Sequence, residues 1–465
     1  MSTSTPTPTP TSPEHETEPL RERIARLVSE GAYGELEALL ESLHASDVAD
    51  VVESLDDETR LTVVRMLPAE LAADALVEME EGEEGHEVLA QLTPGEAAEL
   101  VHELDVDDAV DLIAELEPEE RARILAELPI QEAGELSGLL LYDEESAGGL
   151  MNTALVSVRE SLSAAEAIEE VRRQGREVED FYTVFVVDEL GRLRGTVPLD
   201  DLILADPDEP VANLVEPAQA SVTPDTDQEE VARLIARYNL VALPVVTEDG
   251  VLLGRVTFDD VIDVIEAERT EDLLLFSGVS DDEELRGSAL AAVRARLPWL
   301  VVNTLTASLA AFVVYNFQDS IAAATLLAVV MPVVAGLGGN AGQQALAVTV
   351  RRLATSGGPL EKPTRVVGKE LMVALVNGAA IGLVVAGLTA VVALVTHGAD
   401  PRIGLVVLLA VWTNIAVAGF AGAFIPTFLH RLGQDPAVAS TVFLTAMTDM
   451  SGFLLLLGLY QLMIL

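Results

Sequence analysis

The stretch "TDMSGF", residues 448–453, puts a carboxylate into a run that is otherwise oil, Ser440 to Leu465. That run is long enough to cross a bilayer as a helix. An acid near its middle costs about 2.5–3.5 kcal/mol on insertion scales, so something must offset it. Helical spacing puts Thr441, Thr445, Thr448, Asp449 and Gly452 on one stripe, while Phe443, Met447, Met450 and Leu454 take other faces. Asp449 is thereby turned toward a bundle interior or water. It is the only acid well inside an apolar span; Asp319, Glu370 and Asp435 sit at span ends. Two readings stand: a buried Asp satisfied by Ser/Thr hydroxyls, or an ion contact, which the sequence favours. There is no cysteine, and none of the six histidines lies mid-span, so soft-metal selection has no support. One carboxylate with amide and carbonyl oxygens suits a hard cation. Mg²⁺ sheds its water reluctantly and needs little more than outer-shell acceptors. A dimer would bring two Asp449 residues to one axis.

Two further constellations bear on the same chemistry. "MPVVAGLGGNAGQQ" (331–344) carries Pro332, Gly336, Gly338, Gly339 and Gly342, with side-chain oxygens on Asn340, Gln343 and Gln344. The spacing predicts a break in this span, with backbone carbonyls facing a cavity or a partner. "FDDVIDVIEAERTEDLLLF" (258–276) places Asp259, Asp263 and Glu266 on one helical face, Asp260, Glu268, Glu271 and Asp272 on adjoining faces, and only Arg269 to answer them. Like charges at i, i+4 disfavour a helix. Such a helix is either a solvated acidic face or a cation sensor whose repulsion divalent ions relieve.

The elements that must position these residues fall into two halves. The net charge is −50 over 465 residues, yet residues 290–465 hold nine Lys/Arg against six Asp/Glu. Residues 1–289 therefore carry 18 basic and 71 acidic residues, a charge of −53. A surface that acidic repels nucleic acid and attracts cations. Five apolar spans are legible, about 297–317, 321–350, 371–396, 403–429 and 440–464. Arg294 and Arg296 precede the first, Arg351, Arg352, Lys362, Arg365 and Lys369 follow the second, and Arg431 follows the fourth, whereas the other two loops hold only Arg402. This bias predicts a cytoplasmic acidic half and an external C-terminus in the plasma membrane. "NGAAIG" adds Gly378 and Gly382 as a GxxxG packing signal.

The acidic half opens on a Thr/Pro-rich stretch, residues 1–19, which reads as a disordered tail rather than a signal peptide. From 20 to 142 the text is helical, with Leu or Met returning about every twelve residues at Leu55, Met66, Met79, Leu92, Leu104, Leu116, Leu128 and Leu140. That pattern predicts a stack of short helices. Then "VVDELGRLRGTVPLDDLI" (186–203) repeats as "VVTEDGVLLGRVTFDDVI" (245–262), identical at 10 of 18 positions. Each copy reads as strand, Gly turn, strand, acidic helix start. Two such βαββα units, 143–265, resemble a tandem CBS pair. Gly254, Thr257 and Asp260 in the second copy resemble an adenosine-nucleotide signature, which would make ATP a ligand there; Pro198 replaces the Thr in the first copy. A strand end followed by a helix cap is the alternative.

Nearly the whole length of the chain, the Thr/Pro tail apart, resembles the MgtE family of magnesium channels. The carrying residues are "EESAGGLMN" (144–152), "RLPWLVVNTLTA" (296–307), "PVVAGLGGNAGQQ" (332–344) and "DPAVASTVFLTAMTDMSGF" (435–453). The resemblance implies a multidomain membrane protein: an all-α superhelical N domain, an α+β tandem CBS pair, a connecting plug helix (266–292) and a five-helix transmembrane pore domain (293–465), assembled as a homodimer. It implies that Asp449 binds hydrated Mg²⁺ in the pore, with Asn340 and Asp435 as further pore ligands and Gly338, Gly339, Thr445 and Thr448 lining it. Regulatory Mg²⁺ would be sensed by Asp260, Asp263, Glu268, Glu271 and Asp272, with Asp227 and Glu229 from the CBS pair. In the N domain, Glu103, Asp107 and Asp111 form a candidate stripe. Gln343 and the pair Gln318–Asp319 depart from the family pattern. The expected function is Mg²⁺ import down its gradient, shut by cytosolic Mg²⁺, with no enzymatic activity. The competing readings are a secondary carrier of Mg²⁺, Co²⁺ or another divalent ion, an intramembrane aspartyl hydrolase, and a non-conducting sensor.

Overall fold

The computed structural model describes residues 20–79, 85–176, 178, 181–277, 289–355, 363–396, 400–432 and 440–465. The tail expected over 1–19 lies outside them. The chain divides into two compact units, one ending at Ile262 and the other beginning at Asp263.

The first unit starts with ten short helices: α1 Leu20–Glu30, α2 Tyr33–Leu40, α3 Ala45–Glu53, α4 Asp57–Val64, α5 Ala69–Val77, α6 Gly85–Gln91, α7 Pro94–Glu103, α8 Val106–Ala114, α9 Pro118–Leu125 and α10 Ile130–Leu139. The recurrent Leu/Met positions fall just past the ends of α3 to α10, where each chain turn tucks an apolar residue back toward the stack. Starts are equally local. Asp56 accepts the Thr59 amide ahead of α4, and Thr93 with Glu96 closes a capping box over α7. α1 packs on α2, and from α3 on each helix packs on the next but one. The row α3, α5, α7, α9 lies beside the row α4, α6, α8, α10. Leu76, Leu89, Ile113 and Leu136 of these rows are fully buried.

The CBS pair follows in the same unit. Its first copy is β1 Ser157–Arg159, α11 Ala164–Gln174, β2 Thr183–Val187, β3 Leu193–Pro198 and α12 Leu199–Leu204. The second is α13 Gln228–Tyr238, β4 Ala242–Val246, β5 Leu252–Thr257 and α14 Phe258–Ser277. β1 runs parallel to β2, which pairs antiparallel with β3; in the second copy Val222 makes a parallel bridge to Val245 in place of a full strand. The repeat survives in its irregularities. Both hairpins shift register at matching places, Val186/Val187 and Val245/Val246. Both turn on a left-handed glycine, Gly191 at φ 76° and Gly250 at φ 80°, a conformation that disfavours any Cβ.

α14 runs unbroken from Phe258 to Ser277, so the end of the second copy and the first part of the expected plug helix, residues 266–277, are one helix, as the run 258–276 predicts. Residues 278–288 lie outside the description. In the second unit come α15 Ala289–Asn316, the short α16 Gln318–Ala323, α17 Leu326–Thr355, α18 Pro363–Thr396, α19 Ile403–Arg431 and α20 Ser440–Met463. Five of these are long and apolar enough to cross a membrane. The second span starts at Leu326 rather than 321, since Ala324 is extended and separates α16 from α17. The third extends back to Thr364.

One expectation is corrected outright. The glycine-rich second span is not broken: α17 is one continuous 30-residue helix with Pro332 inside it. Two of its glycines, Gly338 and Gly342, serve packing instead. A Cβ on Gly342 would press on the Leu444 side chain at 2.9 Å, and one on Gly422 of α19 would strike the carbonyl of Gly342. Gly378 and Gly382 do meet α19 closely, at Trp412 and Leu408, and Trp412 Nε1 donates to the Leu375 carbonyl at 2.9 Å. α19 is the central helix, packed by α17, α18 and α20. By contrast α15 leaves nearly all its apolar length uncovered and packs chiefly on α20.

Candidate ion sites

Asp449 sits mid-way along α20, half-buried. The hydroxyls of its stripe are spent on the helix itself: Thr445 Oγ1 donates to the Thr441 carbonyl at 2.9 Å and Thr448 Oγ1 to the Thr445 carbonyl at 3.0 Å. The reading in which Ser/Thr hydroxyls satisfy the acid therefore has no bond behind it. Among the described residues Asp449 has no hydrogen-bond or ion-pair partner. An acid this far inside an apolar span calls for a partner or for water, and this one keeps an open side.

The other pore candidates separate. Asn340 is exposed on α17, and Gly339 and Thr445 are half-buried. Gly338 and Thr448 do not line an open face: both are buried in the seam where α17 meets α20, because a Cβ on Gly338 would lie 3.5 Å from Thr448 Cβ and overlap the Asn414 amide. Asp435 lies outside the described residues. Asn414 was not singled out by sequence reasoning. It lies fully buried in α19, donates Nδ2 to the Val334 carbonyl at 3.1 Å and accepts from Ser451 Oγ at 2.7 Å. The signal was an amide inside the apolar text "AVWTNIAVAG".

The second site is in the soluble unit. Leu104 is extended and ends α7, so the stripe expected through Glu103, Asp107 and Asp111 is divided. Glu103 closes α7 and is exposed, whereas Asp107 and Asp111 share α8 at i, i+4. Asp107 is only 7% exposed and accepts from Asn152 Nδ2 at 3.0 Å. Beside it opens a cavity of about 200 Å³ lined by Asp105, Asp107, Asp108, Asp259, Asp260 and Arg255, with Tyr182 and Thr257. Asp105, Asp108, Arg255 and Asn152 were missed as site residues, although the run "DVDDAVD" (105–111) carried the signal.

The electrostatics are those of carboxylates in want of a cation. Burial, then the charge of Asp260, holds Asp107 well above the usual carboxylate range. Asp108 is raised to about 7 by burial and then by Asp260, Asp105 and other acids. Asp111 is also raised to about 7, by burial and then by Glu144 and Asp260. It keeps an exposed face, where solvent screens part of that effect, so enclosed Asp107 is the firmer case. Burial also raises Asp260, against the hydrogen bonds from Thr257. Among the described residues no three acids or histidines converge into a ready-made metal cage. A Mg²⁺ ion that keeps its water suits such a looser ring of oxygens.

The remaining sensor candidates lie elsewhere. Asp227 caps α13, accepting the Glu229 amide at 2.9 Å, and Glu229 is exposed. Along α14, Asp263 is exposed and Glu268 and Glu271 are half-buried; the side chain of Asp272 lies outside the description. The nucleotide signature divides too. Thr257 donates Oγ1 to Asp260 at 2.7 Å, and its amide donates to the same carboxylate at 3.1 Å, a cap over the start of α14. Both residues still line the cavity. Gly254 does not; a Cβ there would meet Met151 and the Asn152 carbonyl, as one on Gly195 in the first copy would meet Val215 and Glu216.

Comparison with known proteins agrees with this arrangement. Residues 331–459 match the MgtE divalent cation transporter family, 43–145 the MgtE intracellular N domain, and 147–208 and 211–267 CBS domains. The chain is 36% identical over 464 residues to the magnesium transporter MgtE of Thermus thermophilus, spanning 96% of this chain and 99% of that one. It belongs to the MgtE family. A second MgtE magnesium transporter, from Enterococcus faecalis, is 39% identical over 422 residues, 90% of this chain and 92% of that one. A solved cytosolic domain, described as that of the Mg²⁺ channel MgtE in complex with ATP, superposes with a TM-score of 0.50 at 39% identity, covering 53% of this chain and 100% of that one. The helical N domain, the CBS pair and the five apolar spans are thus those of an MgtE magnesium transporter.

Proposed function

We propose that this MgtE protein is a Mg²⁺-selective channel that admits Mg²⁺ down its electrochemical gradient and is closed by cytosolic Mg²⁺. The observation that carries the reading is Asp449: a half-buried, unpartnered carboxylate in the middle of the fifth span. A hydrated cation would supply what the acid lacks, its water donating to the carboxylate. Two copies in a homodimer would face two Asp449 residues across one axis, with Asn340 and Asp435 adding oxygens. An inside-negative potential adds about 4.6 kcal/mol per 100 mV for a divalent ion.

Closure is assigned to the acidic half. Mg²⁺ bound near Asp107, Asp111 and Asp260 would relieve the repulsion that raises those carboxyls, and ions held by Asp263, Glu268, Glu271 and Asp272 would restrain α14, the covalent link to the spans. Asp227 and Glu229 would add outlying contacts. An adenine nucleotide at Thr257 and Asp260 would use the same cavity, as the ATP-bound relative suggests. The domains are divided as 20–142, 143–265, 266–292 and 293–465, with the acidic half cytoplasmic and Leu465 outside the plasma membrane. The reading is of a transporter without enzymatic activity.

Purified protein in liposomes tests the reading. Mg²⁺ uptake driven by a membrane potential should be abolished by Asp449→Ala. Uptake that instead follows an imposed pH gradient with no potential would establish the secondary carrier.

A further inference from the structure

Asn414 spends both halves of a fully buried amide on two other helices. Its Nδ2 donates to Val334 in α17 at 3.1 Å, and its Oδ1 accepts from Ser451 in α20 at 2.7 Å. The neighbours make room for it. A Cβ on Gly452 would come within 2.8 Å of Nδ2, and one on Gly338 would overlap the same atom. Val334, Gly338, Ser451 and Gly452 thus form one knot around a single side chain. The knot lies at the level of Asp449: Ser451 is two residues beyond the acid, buried Thr448 one before it, and Asn340 two residues beyond Gly338.

We propose that Asn414 is the positioning residue that fixes α17 against α20 at the ion site, and so sets which divalent ion is passed. The inference rests on reading Asp449 and Asn340 together as the ion contacts. A carboxylate and an amide on two separate helices present one spacing of oxygens only if the helices cannot slide. Apolar contacts between helices are tolerant of small slides, especially across glycines; a two-ended hydrogen bond to a backbone carbonyl and a hydroxyl is not. An ion that holds its water tightly in octahedral geometry is more sensitive to that spacing than a larger, adaptable one such as Ca²⁺. A merely structural amide would affect how much protein folds and leave the ratio of ions untouched.

The test is flux through the full-length protein in liposomes, comparing Mg²⁺ with Ca²⁺ for wild type, Asn414→Leu, Ser451→Ala and Asp449→Ala. Asn414→Leu keeps the branching at Cγ and removes both bonds, at the cost of added bulk in a tight site. Ser451→Ala removes one bond and adds no bulk, so it carries the test if Asn414→Leu does not fold. The expected result is a shift of the Ca²⁺:Mg²⁺ flux ratio by about tenfold in Asn414→Leu, equivalent to about 1.4 kcal/mol, with a smaller shift the same way in Ser451→Ala and a raised KM for Mg²⁺. An unchanged ratio and KM in the variants that fold, whatever their yield, overturns the positioning role while leaving the pore reading intact. Full Mg²⁺ flux in Asp449→Ala overturns the pore reading, and the positioning role falls with it.

Discussion

At the scale of single residues, the proposed function rests on carboxylates in both halves, and their surroundings decide how. Asp108 is held near pH 7, and Asp107 and Asp260 are raised as well. A carboxyl raised in the folded protein binds its proton more tightly there than in the unfolded chain. Stability is then full at low pH and falls as pH rises from about 4 through 7. The soluble half, residues 20–275, should therefore melt at a lower temperature at pH 8 than at pH 5.5 in the absence of Mg²⁺, and millimolar Mg²⁺ should restore the loss at pH 8. A melting temperature that is flat with pH and indifferent to Mg²⁺ would remove the acidic cavity from the account. The acids themselves were legible in the sequence, since charge runs announce themselves. Which acids meet was not. Asp107 pairs with Asn152, 45 residues away, and Asp108 meets the charge of Asp260, contacts that only the stacking of α8 against the CBS pair creates. Asn414 escaped for a similar reason: a lone amide in an apolar span has no local pattern, and its meaning depends on two partners in other helices.

At the scale of elements, the sequence was most readable where rules are local. The twelve-residue Leu/Met return marks helix ends in the N domain, and the capping pair Thr93/Glu96 marks a start. Thr93→Ala should cost about 1 kcal/mol through the lost cap, read as a lower melting temperature of the soluble half; no change would mean that α7 is held by packing alone. The second span was misread because glycine carries two meanings. In water a Pro/Gly-rich run weakens a helix, whereas inside a bundle the same glycines let helices approach. Gly342 and Gly422 illustrate it, since the carbonyl of one fills the place of a side chain on the other. Gly422→Val should destabilise the membrane half by about 1–3 kcal/mol through overpacking, seen as earlier thermal aggregation in detergent. A variant that melts like wild type would mean the seam is looser than its contacts imply.

At the scale of the whole molecule, charge divides labour. An acidic body carries nearly all the formal charge, and an almost neutral half spans the membrane. That division follows from composition alone. The link between the halves is covalent through α14 and the residues after it, so the account assigns sensing to one half and conduction to the other. Removing residues 20–275 should leave Mg²⁺ conduction in place and abolish its closure by cytosolic Mg²⁺; conduction that is still closed by cytosolic Mg²⁺ in the remainder would overturn the assignment. The central claim is that Asp449 carries Mg²⁺ and the acidic half governs access to it. The most direct measurement is Mg²⁺ current or liposome flux for wild type and Asp449→Ala while Mg²⁺ on the cytoplasmic side is varied. The account predicts wild-type flux that falls as cytoplasmic Mg²⁺ rises, and none in Asp449→Ala at any concentration. Wild-type flux indifferent to cytoplasmic Mg²⁺, or undiminished flux without the Asp449 carboxylate, would contradict it.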